Sequence, residues 1–288
     1  MLKYICCTKN VFMFSLVLTA LFASAEDPNP PSIRSNSGAW PIRRQWTPAE
    51  TQHYAKWVDN IFQFKTKGNV EQRIAKLDRI ITDPEMNLLE NPEFLGQGSN
   101  PQLPKGIIRE MHALMDCGKF TAFMPAYYAY RRALPWMTTV VTSGNSGDIR
   151  TSPFNIPVGC TNSFTSSSVG AFFSNAIGSF ISGNYRVNPD GKNAQLSDTV
   201  PVAINREFLM PGCINYLDGH CLLLARVSEY GELYFLNCST THTRDVFSYN
   251  GMNTVSGITA KGSVPDAPPY EGCFQGLRVL RYPIAITD

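Results

Sequence analysis

The sequence predicts an α+β fold, in which a group of helices comes first and packs on an antiparallel sheet. Helical periodicity marks residues 47–64, 70–82 and 106–134, and short β-branched or apolar runs dominate the chain after residue 199. The composition is 43% hydrophobic and 17% charged, which is typical of a folded chain with a sizeable core. This composition excludes a coiled coil and a chain that is disordered throughout.

Residues 1–25 are predicted to form a signal peptide. Lys3 and Lys9 supply the positive start, Val11–Ala23 is almost entirely apolar, and small residues lead up to Ala25. The alternative is an uncleaved membrane anchor, but the apolar run is short for a membrane-spanning helix. We therefore expect a mature chain that is periplasmic or secreted and has no stable insertion in the membrane.

Residues 26–105 are predicted to form a polar leader followed by an N-terminal helical segment. Thr47 has the properties of a helix N-cap, and Glu50 stands three residues later in the pattern of a capping box. Apolar residues at helical spacing extend this helix to about Phe64. A second helix is predicted from about Val70 to Thr82.

Residues 106–288 are predicted to form the main domain, which opens with helical sequence from Gly106 to about Leu134. A break is expected near residues 116–118, and Pro125 should disturb the second helix locally. The segment from about 142 to 184 is dense in Ser, Gly and Asn and is predicted to be an insertion. A functional lid or binding loop and a plain surface insertion both fit its length.

Strand patterns separated by turn residues fill the last third of the sequence. Ser228–Gly231 lies between two apolar runs and predicts a β-hairpin. The predicted strands are Thr199–Ile204, Cys213–Tyr216, Cys221–Val227, Glu232–Cys238 and Leu277–Leu280.

The charge balance argues against nucleic acid as a partner. Removing Lys3 and Lys9 from the 25 basic residues leaves 23, which equals the number of acidic residues. Phosphate binding requires clustered positive charge, and a neutral chain lacks it overall. The sequence also contains no P-loop, dinucleotide fingerprint, G-x-S-x-G or H-E-x-x-H pattern. We predict no cofactor.

Cys117 is the first candidate for chemistry, because it opens a predicted aromatic helix. The helix macrodipole and the free backbone N–H groups at a helix N-terminus both favour the thiolate. The same N–H groups can hold an oxyanion during acyl transfer. His220 opens a predicted strand about 100 residues downstream and is the best placed of the four histidines to act as a base. A structural half-cystine is the alternative interpretation of Cys117.

These two segments resemble the NlpC-type papain-fold cysteine peptidases of bacterial cell walls. The resemblance rests on Met115–Phe120 at the helix start and on Met210–Val227, which holds a Pro-Gly pair and the His-led strand. It implies that Cys117 is the nucleophile, His220 the base and Asn237 the third, polar residue. It also implies a papain-like fold, with the Cys-bearing helix on an antiparallel sheet, and a peptidoglycan-like peptide or amide substrate.

The hairpin register predicts how these side chains face one another. If the loop has four residues, the residue numbers of each cross-strand pair add up to 459. Cys221 then lies opposite Cys238, and His220 lies opposite Ser239. Asn237 is then a diagonal neighbour of His220 on the same face, and Ser239 is the fallback for the third residue. Cys221 and Cys238 share the other face, where a disulfide is a hypothesis.

Several alternatives stay open on the sequence alone. Six cysteines follow the signal peptide, and Cys160, Cys213 and Cys273 compete as disulfide partners. An exported binding or structural protein could keep the fold without activity.

A zinc site is a further alternative, because Cys238 and His242 have metal-ligand spacing and His220 and Cys221 lie nearby in sequence. One group of aromatic residues in and after the Cys117 helix could line a cleft but is predicted to be core. This group is Tyr127, Tyr128, Tyr130 and Trp136.

Overall fold

A computed structural model describes residues 37–63, 81, 84–85, 87–144, 149, 155–187, 193, 197–201, 209–217, 220–231, 233–238, 248–252 and 276–280. In this part of the chain the architecture is α+β, with antiparallel sheets, as the order of the sequence patterns predicts. The predicted signal peptide and nearly all of the helix predicted over residues 70–82 lie outside the described residues. None of the described helices combines the length and apolarity needed to cross a bilayer.

Helices fill the first half of the described chain. They are α1 (Pro48–Gln63), α2 (Pro92–Leu95), α3 (Lys105–Leu114), α4 (Cys117–Arg131) and α5 (Val169–Phe172), with 3-10 turns at Leu88–Glu90 and Ser182–Tyr185 and a π turn at Phe173–Ile177. Thr47 caps α1, since its hydroxyl accepts a hydrogen bond from the Glu50 amide at 3.1 Å. The predicted break separates α3 from α4, and α4 continues through Pro125 because one missing amide does not end it.

Two antiparallel sheets follow. The smaller sheet is a hairpin of β1 (Met137–Thr142) and β2 (Ile156–Asn162), and the larger one has six strands in the order β3-β8-β4-β5-β6-β7. The strands of the larger sheet are β3 (Thr199–Pro201), β4 (Ile214–Leu217), β5 (His220–Val227), β6 (Leu233–Asn237), β7 (Ser248–Met252) and β8 (Gly276–Leu280). Sequence patterning missed β1, β2 and β7. Strand β1 has no regular alternation of apolar and polar residues, and residues that are depleted in strands interrupt the other two: Pro157 and Gly159 in β2 and Gly251 in β7.

The β5–β6 hairpin keeps the predicted register in its inner half. Leu224 pairs with Phe235, which satisfies the sum of 459. Near the turn, Val227 pairs with Leu233, so the loop is one residue longer than predicted. A bulge at Ala225 takes up the extra residue, and the pairing beyond it returns to the predicted register. A longer loop without a bulge would have exchanged the two faces of the inner half.

β5 lies between two hydrophobic clusters. Cys221 and Leu223 belong to the larger cluster, which also contains the buried residues of α1 and α4. Leu222 and Leu224 belong to a smaller cluster with Cys213 of the segment before β4. Because successive side chains of a strand point to opposite faces, the helices cover one face of β5 and the smaller cluster lies on the other.

The aromatic residues of α4 are core residues, as predicted. Tyr127, Tyr128 and Tyr130 are at most 6% exposed, and Trp136 just beyond the helix is 2% exposed. Their rings pack edge-on or tilted against those of α1 and of the segment before it. These residues therefore hold α1 on α4 and do not line an open cleft.

A buried ion pair joins the start of α1 to the end of α4. Arg132 donates to both carboxylate oxygens of Glu50, at 2.7 and 2.8 Å, and the hydroxyl of Tyr128 donates to the same carboxylate. The sequence predicted that the Glu50 carboxylate would complete the capping box with Thr47. In the structure this carboxylate accepts hydrogen bonds from Arg132 and Tyr128 across the core instead. Burial opposes ionisation, but the hydrogen bonds from Arg132 and Tyr128 outweigh it and hold the pKa of Glu50 below its usual value.

His53 belongs to the same network. Its Nδ1 lies 2.7 Å from the Tyr128 hydroxyl, and its ring stacks on Phe94. Burial, reinforced by the positive charge of Arg132, lowers the pKa of His53 to about 4. The imidazole is therefore neutral at physiological pH and is a partly exposed hydrogen-bonding residue beside the core.

Candidate functional site

The predicted thiol lies at the first residue of α4. Asp116 is the N-cap, and its carboxylate accepts from the Lys119 amide at 2.8 Å. The Lys119 ammonium closes an ion pair on the same carboxylate at 2.7 Å, which offsets the negative charge of the cap. The first amides of a helix have no partner within the helix.

Cys117 is buried in the core at 5% exposure. It belongs to the larger hydrophobic cluster, and so do Cys221 and Cys238, which have no exposed surface. Helix α4 packs against β5 and β6, the strands at whose inner ends these two cysteines lie. Three thiols therefore share the layer between α4 and the sheet.

The backbone at residues 181–182 covers the first turn of α4. A Cβ atom added to Gly118 would lie 2.6 Å from the Ser182 nitrogen and 2.9 Å from the Ile181 carbonyl carbon. Only glycine allows this approach, because the contacting atoms are backbone and cannot move aside as a flexible side chain can. The small residue after Cys117 thus has a packing role.

Buried amide side chains hold this covering segment in place. The Asn184 amide donates to the Thr139 carbonyl of β1 at 2.6 Å, and the Asn155 amide donates to the Gly183 carbonyl at 2.8 Å. Phe172 and Phe173 have no exposed surface and lie in the larger cluster. The part of this segment from Phe172 to Asn184 therefore packs into the core next to the start of α4.

Tyr185 links the covering segment to the thiol helix. Its hydroxyl donates to the Thr121 hydroxyl at 3.1 Å, and Thr121 donates to the carbonyls of Cys117 and Gly118 at 3.2 and 2.9 Å. Burial raises the pKa of Tyr185 well above its usual range. Cys221, Asp198 and Cys117 raise it further, because the negative charge of each would repel a phenolate, and only the Thr121 hydrogen bond lowers it. The phenol is therefore a permanent neutral donor beside the thiols.

Asp198 is a buried carboxylate in the same region. It is 7% exposed, and both of its oxygens accept from the Thr139 amide at 2.9 Å. The Thr139 hydroxyl donates to one of them at 2.8 Å. No local motif in the sequence marks Asp198 or Tyr185, because their hydrogen bonds go to residues 59 and 64 positions earlier in the chain.

The other two predicted site residues are placed by their backbones alone. His220 is the first residue of β5 and pairs with Leu217, and Asn237 is the last residue of β6 and pairs with Ser248. The side chains of His220 and Asn237 lie outside the described part of the structure. The triad therefore stays a prediction.

The predicted disulfide between Cys221 and Cys238 is not formed in this structure. No disulfide joins any two of the described cysteines, Cys160 and Cys213 included. Among the described residues, no group of three or more His, Cys, Asp or Glu side chains could hold a metal ion. Cys273, a candidate disulfide partner, and His242, a candidate zinc ligand, lie outside the described residues.

The hydrogen-bond pattern shows which kind of strand position Cys221 occupies. Leu224 donates to Cys213 and accepts from Gly212, both at 2.7 Å, so its backbone groups point toward β4. Odd-numbered residues of inner β5 consequently point their backbone groups toward β6, which makes Cys221 a hydrogen-bonded position. The disulfide hypothesis assumed a non-hydrogen-bonded position for Cys221, and that premise was wrong.

Comparison with protein-family models, with curated proteins and with solved structures finds no match for the chain.

Proposed function

We propose that the protein is an exported cysteine hydrolase that cleaves amide or peptide bonds in peptidoglycan-like substrates, with Cys117 as its nucleophile. The observation that carries this proposal is the position of Cys117 at the start of a 15-residue helix. That helix packs on β5, the strand whose first residue is His220. A papain-like arrangement of helix and sheet belongs to the same proposal.

The roles follow from the chemistry of thiol acyl transfer. His220 takes the Cys117 proton, and the thiolate attacks the carbonyl carbon of the scissile amide. The backbone N–H groups at the start of α4 stabilise the oxyanion, and His220 returns its proton to the leaving amine. Asn237 holds the imidazole in the required tautomer. Water then releases the acyl group from the sulfur.

The position of Cys221 in β5 limits how the His220 imidazole can reach the Cys117 thiol. Cys221 and Leu223 lie in the cluster with α4, whereas Leu222 and Leu224 lie in the cluster on the other face. The proposal therefore requires β5 to depart from regular alternation at its first residue, so that the His220 imidazole reaches the thiol.

A second candidate is an exported, non-catalytic protein in which Cys117 is a core residue. The observation that favours it is the 5% exposure of Cys117, with the backbone of Ser182 packed directly on Gly118. In this alternative the thiol has no lowered pKa and reacts only when the protein unfolds.

The pH dependence of thiol alkylation separates the two candidates. The native protein is treated with iodoacetamide between pH 5 and 9, and each cysteine is followed by peptide mapping, with the exposed Cys160 as the internal reference. An ordinary thiol with a pKa near 8.5 is only roughly 0.3% thiolate at pH 6. The hydrolase proposal expects Cys117 to keep its reactivity at pH 6 while that of Cys160 is lost, and expects His220→Ala to abolish this difference.

An assay of peptidoglycan hydrolysis provides a second test. Cys117→Ser and His220→Ala should abolish the release of new amino groups from purified peptidoglycan, whereas Cys160→Ser should leave it unchanged. A Cys117 that stays unmodified in the native state, together with no hydrolysis by the unmodified protein, would support the core-residue alternative. The same result would end the hydrolase proposal.

A further inference from the structure

Residues 181–184, which we call the strap, cross the start of α4 between two buried aromatic residues. Phe180 and Tyr185 are 2% and 1% exposed and belong to the larger hydrophobic cluster. The strap itself contributes no buried apolar side chain, since Ile181 and Ser182 are partly exposed and its other two residues are a glycine and an asparagine. Burial of apolar side chains therefore holds the two ends of the strap but not the strap.

Two asparagine side chains hold the strap in place. The Asn184 amide donates to the Thr139 carbonyl at 2.6 Å, and the Asn184 side-chain oxygen accepts from the Ile181 amide at 3.2 Å. The amide of Asn155 donates to the Gly183 carbonyl at 2.8 Å. Water replaces such hydrogen bonds when a segment opens, so each contributes less to stability than the burial of a large apolar side chain.

Asn155 is only half satisfied in this position. Its side chain is buried, with the residue 2% exposed, and its Oδ1 has no hydrogen-bond partner among the described residues. A buried acceptor without a partner costs free energy, which is recovered when water reaches it. This cost favours release of the strap.

The strap lies on the residue that follows the thiol. A Cβ atom on Gly118 would be 2.6 Å from the Ser182 nitrogen, and Cys117 is 5% exposed. A peptide substrate cannot reach a thiol with so little exposed surface. Cys221 and Cys238 share the cluster with Cys117 but belong to the sheet, so movement of the strap does not uncover them.

We propose that the strap opens locally in the native protein, while Phe180 and Tyr185 stay packed, and that this opening controls access to Cys117. The inference rests on the proposed function in one respect, because the strap regulates hydrolysis only if Cys117 is the nucleophile. The opening itself is a property of the fold and is measured without any substrate.

The test is the urea dependence of alkylation. Iodoacetamide is added at pH 8 in urea concentrations below the unfolding transition, and the rates at Cys117, Cys221 and Cys238 are followed by peptide mapping. Local opening exposes little surface and depends weakly on urea, whereas global unfolding exposes the whole core. We expect the Cys117 rate to change less than about twofold per molar urea, and the other two rates to rise at least about fivefold. The intrinsic reactivity of a thiol does not affect these slopes.

Asn184→Ala identifies the segment that moves. The variant lacks the hydrogen bond to Thr139, which the unmodified protein makes only while the strap is closed. We expect the Cys117 rate without urea to rise about fivefold. If this variant does not fold, Asn155→Ala removes the bond to Gly183 and should raise the Cys117 rate in the same way.

Asn100→Ala is the matched control. Asn100 is 5% exposed, and its amide donates to the Tyr130 carbonyl at 2.7 Å, near the other end of α4. This bond persists when only the strap opens and is lost when the whole chain unfolds. The variant should therefore speed the alkylation of Cys221 and Cys238 and leave that of Cys117 unchanged.

The outcomes separate this inference from the proposed function. A Cys117 rate that rises with urea as steeply as that of Cys221, or that responds to Asn100→Ala, means that only global unfolding exposes the thiol and overturns the strap proposal. A Cys117 rate that no strap variant changes overturns it as well. In both cases the hydrolase proposal is decided by peptidoglycan hydrolysis. Weak urea dependence, combined with loss of Cys117 reactivity at pH 6, supports the strap and overturns the hydrolase.

Discussion

Gly118 and Ser182 are in direct backbone contact: a Cβ atom on Gly118 would lie 2.6 Å from the Ser182 nitrogen. The second residue of the thiol helix thus touches a segment that lies more than 60 residues later in the sequence. This contact fixes the distance between α4 and the segment that carries Tyr185. It also makes the start of the helix sensitive to the addition of a single carbon atom.

We predict that Gly118→Ala lowers the free energy of unfolding by about 2 kcal/mol, because the added methyl group overlaps backbone atoms. Gly106→Ala is the control, since a Cβ there meets nothing within 4 Å and alanine favours the helical backbone. Urea unfolding of both variants measures the difference. Equal stability of the two alanine variants would contradict the close contact.

A second prediction concerns His53 and acid pH. Its folded-state pKa of about 4 lies below the 6.5 of an unperturbed histidine, so the unfolded chain binds more protons between these values. Stability should therefore fall as the pH drops from about 6.5 to 4, and this contribution should not fall further below pH 4. After allowance for partial exposure, we expect about 1–2 kcal/mol.

His53→Gln is the matched variant, because glutamine keeps a hydrogen bond to Tyr128 and does not titrate in this range. The free energy of unfolding of both proteins is measured by urea titration at pH 7, 6, 5 and 4.5. The curve of the unmodified protein should fall more steeply with decreasing pH. Parallel curves would show that His53 is not held neutral by the core.

The third prediction concerns Asn215, which has no exposed surface and whose amide nitrogen and oxygen have no hydrogen-bond partner among the described residues. Replacing an unsatisfied buried amide with an apolar group of similar size removes a desolvation cost. Asn215→Leu should therefore raise the free energy of unfolding by about 1 kcal/mol.

The control for Asn215 is Asn87→Leu. Asn87 also has no exposed surface, but its side chain accepts from Trp57 at 2.7 Å and donates to the Ile81 carbonyl at 2.9 Å. Its replacement should cost about 2–3 kcal/mol, because Trp57 and Ile81 lose their partner. Thermal unfolding that shows the same loss for both variants would mean that Asn215 is satisfied in solution.

The fourth prediction concerns three buried thiols of the larger sheet, which lie in the two hydrophobic clusters on either side of it. Burial raises the pKa of Cys213 to about 11, so that thiol should remain unmodified by iodoacetamide in the native protein at pH 9. Cys221 and Cys238 should be recovered as unlinked peptides in non-reducing peptide mapping. A peptide that joins Cys221 to Cys238 would contradict the absence of this disulfide from the structure.

Local sequence signals predicted the parts of the fold that depend on neighbouring residues. The break before Cys117, the helix that starts there and the β5–β6 hairpin all follow from periodicity, capping and turn residues within a few positions. The register of the inner hairpin was correct although the loop was one residue longer than predicted. The bulge at Ala225 restored it, because the buried faces of both strands had to stay matched.

The tertiary structure alone decided what surrounds the thiol. The Ser-, Gly- and Asn-rich segment has no strong periodicity, yet its Asn184 and Tyr185 side chains bond to residues about 45 to 65 positions earlier in the chain. Asp198 is held in the same way, by hydrogen bonds from Thr139. Hydrogen bonds between polar side chains and distant backbone groups leave no local pattern in a sequence. The sequence by itself therefore determined where the thiol helix begins, and the folded chain determined which groups cover it.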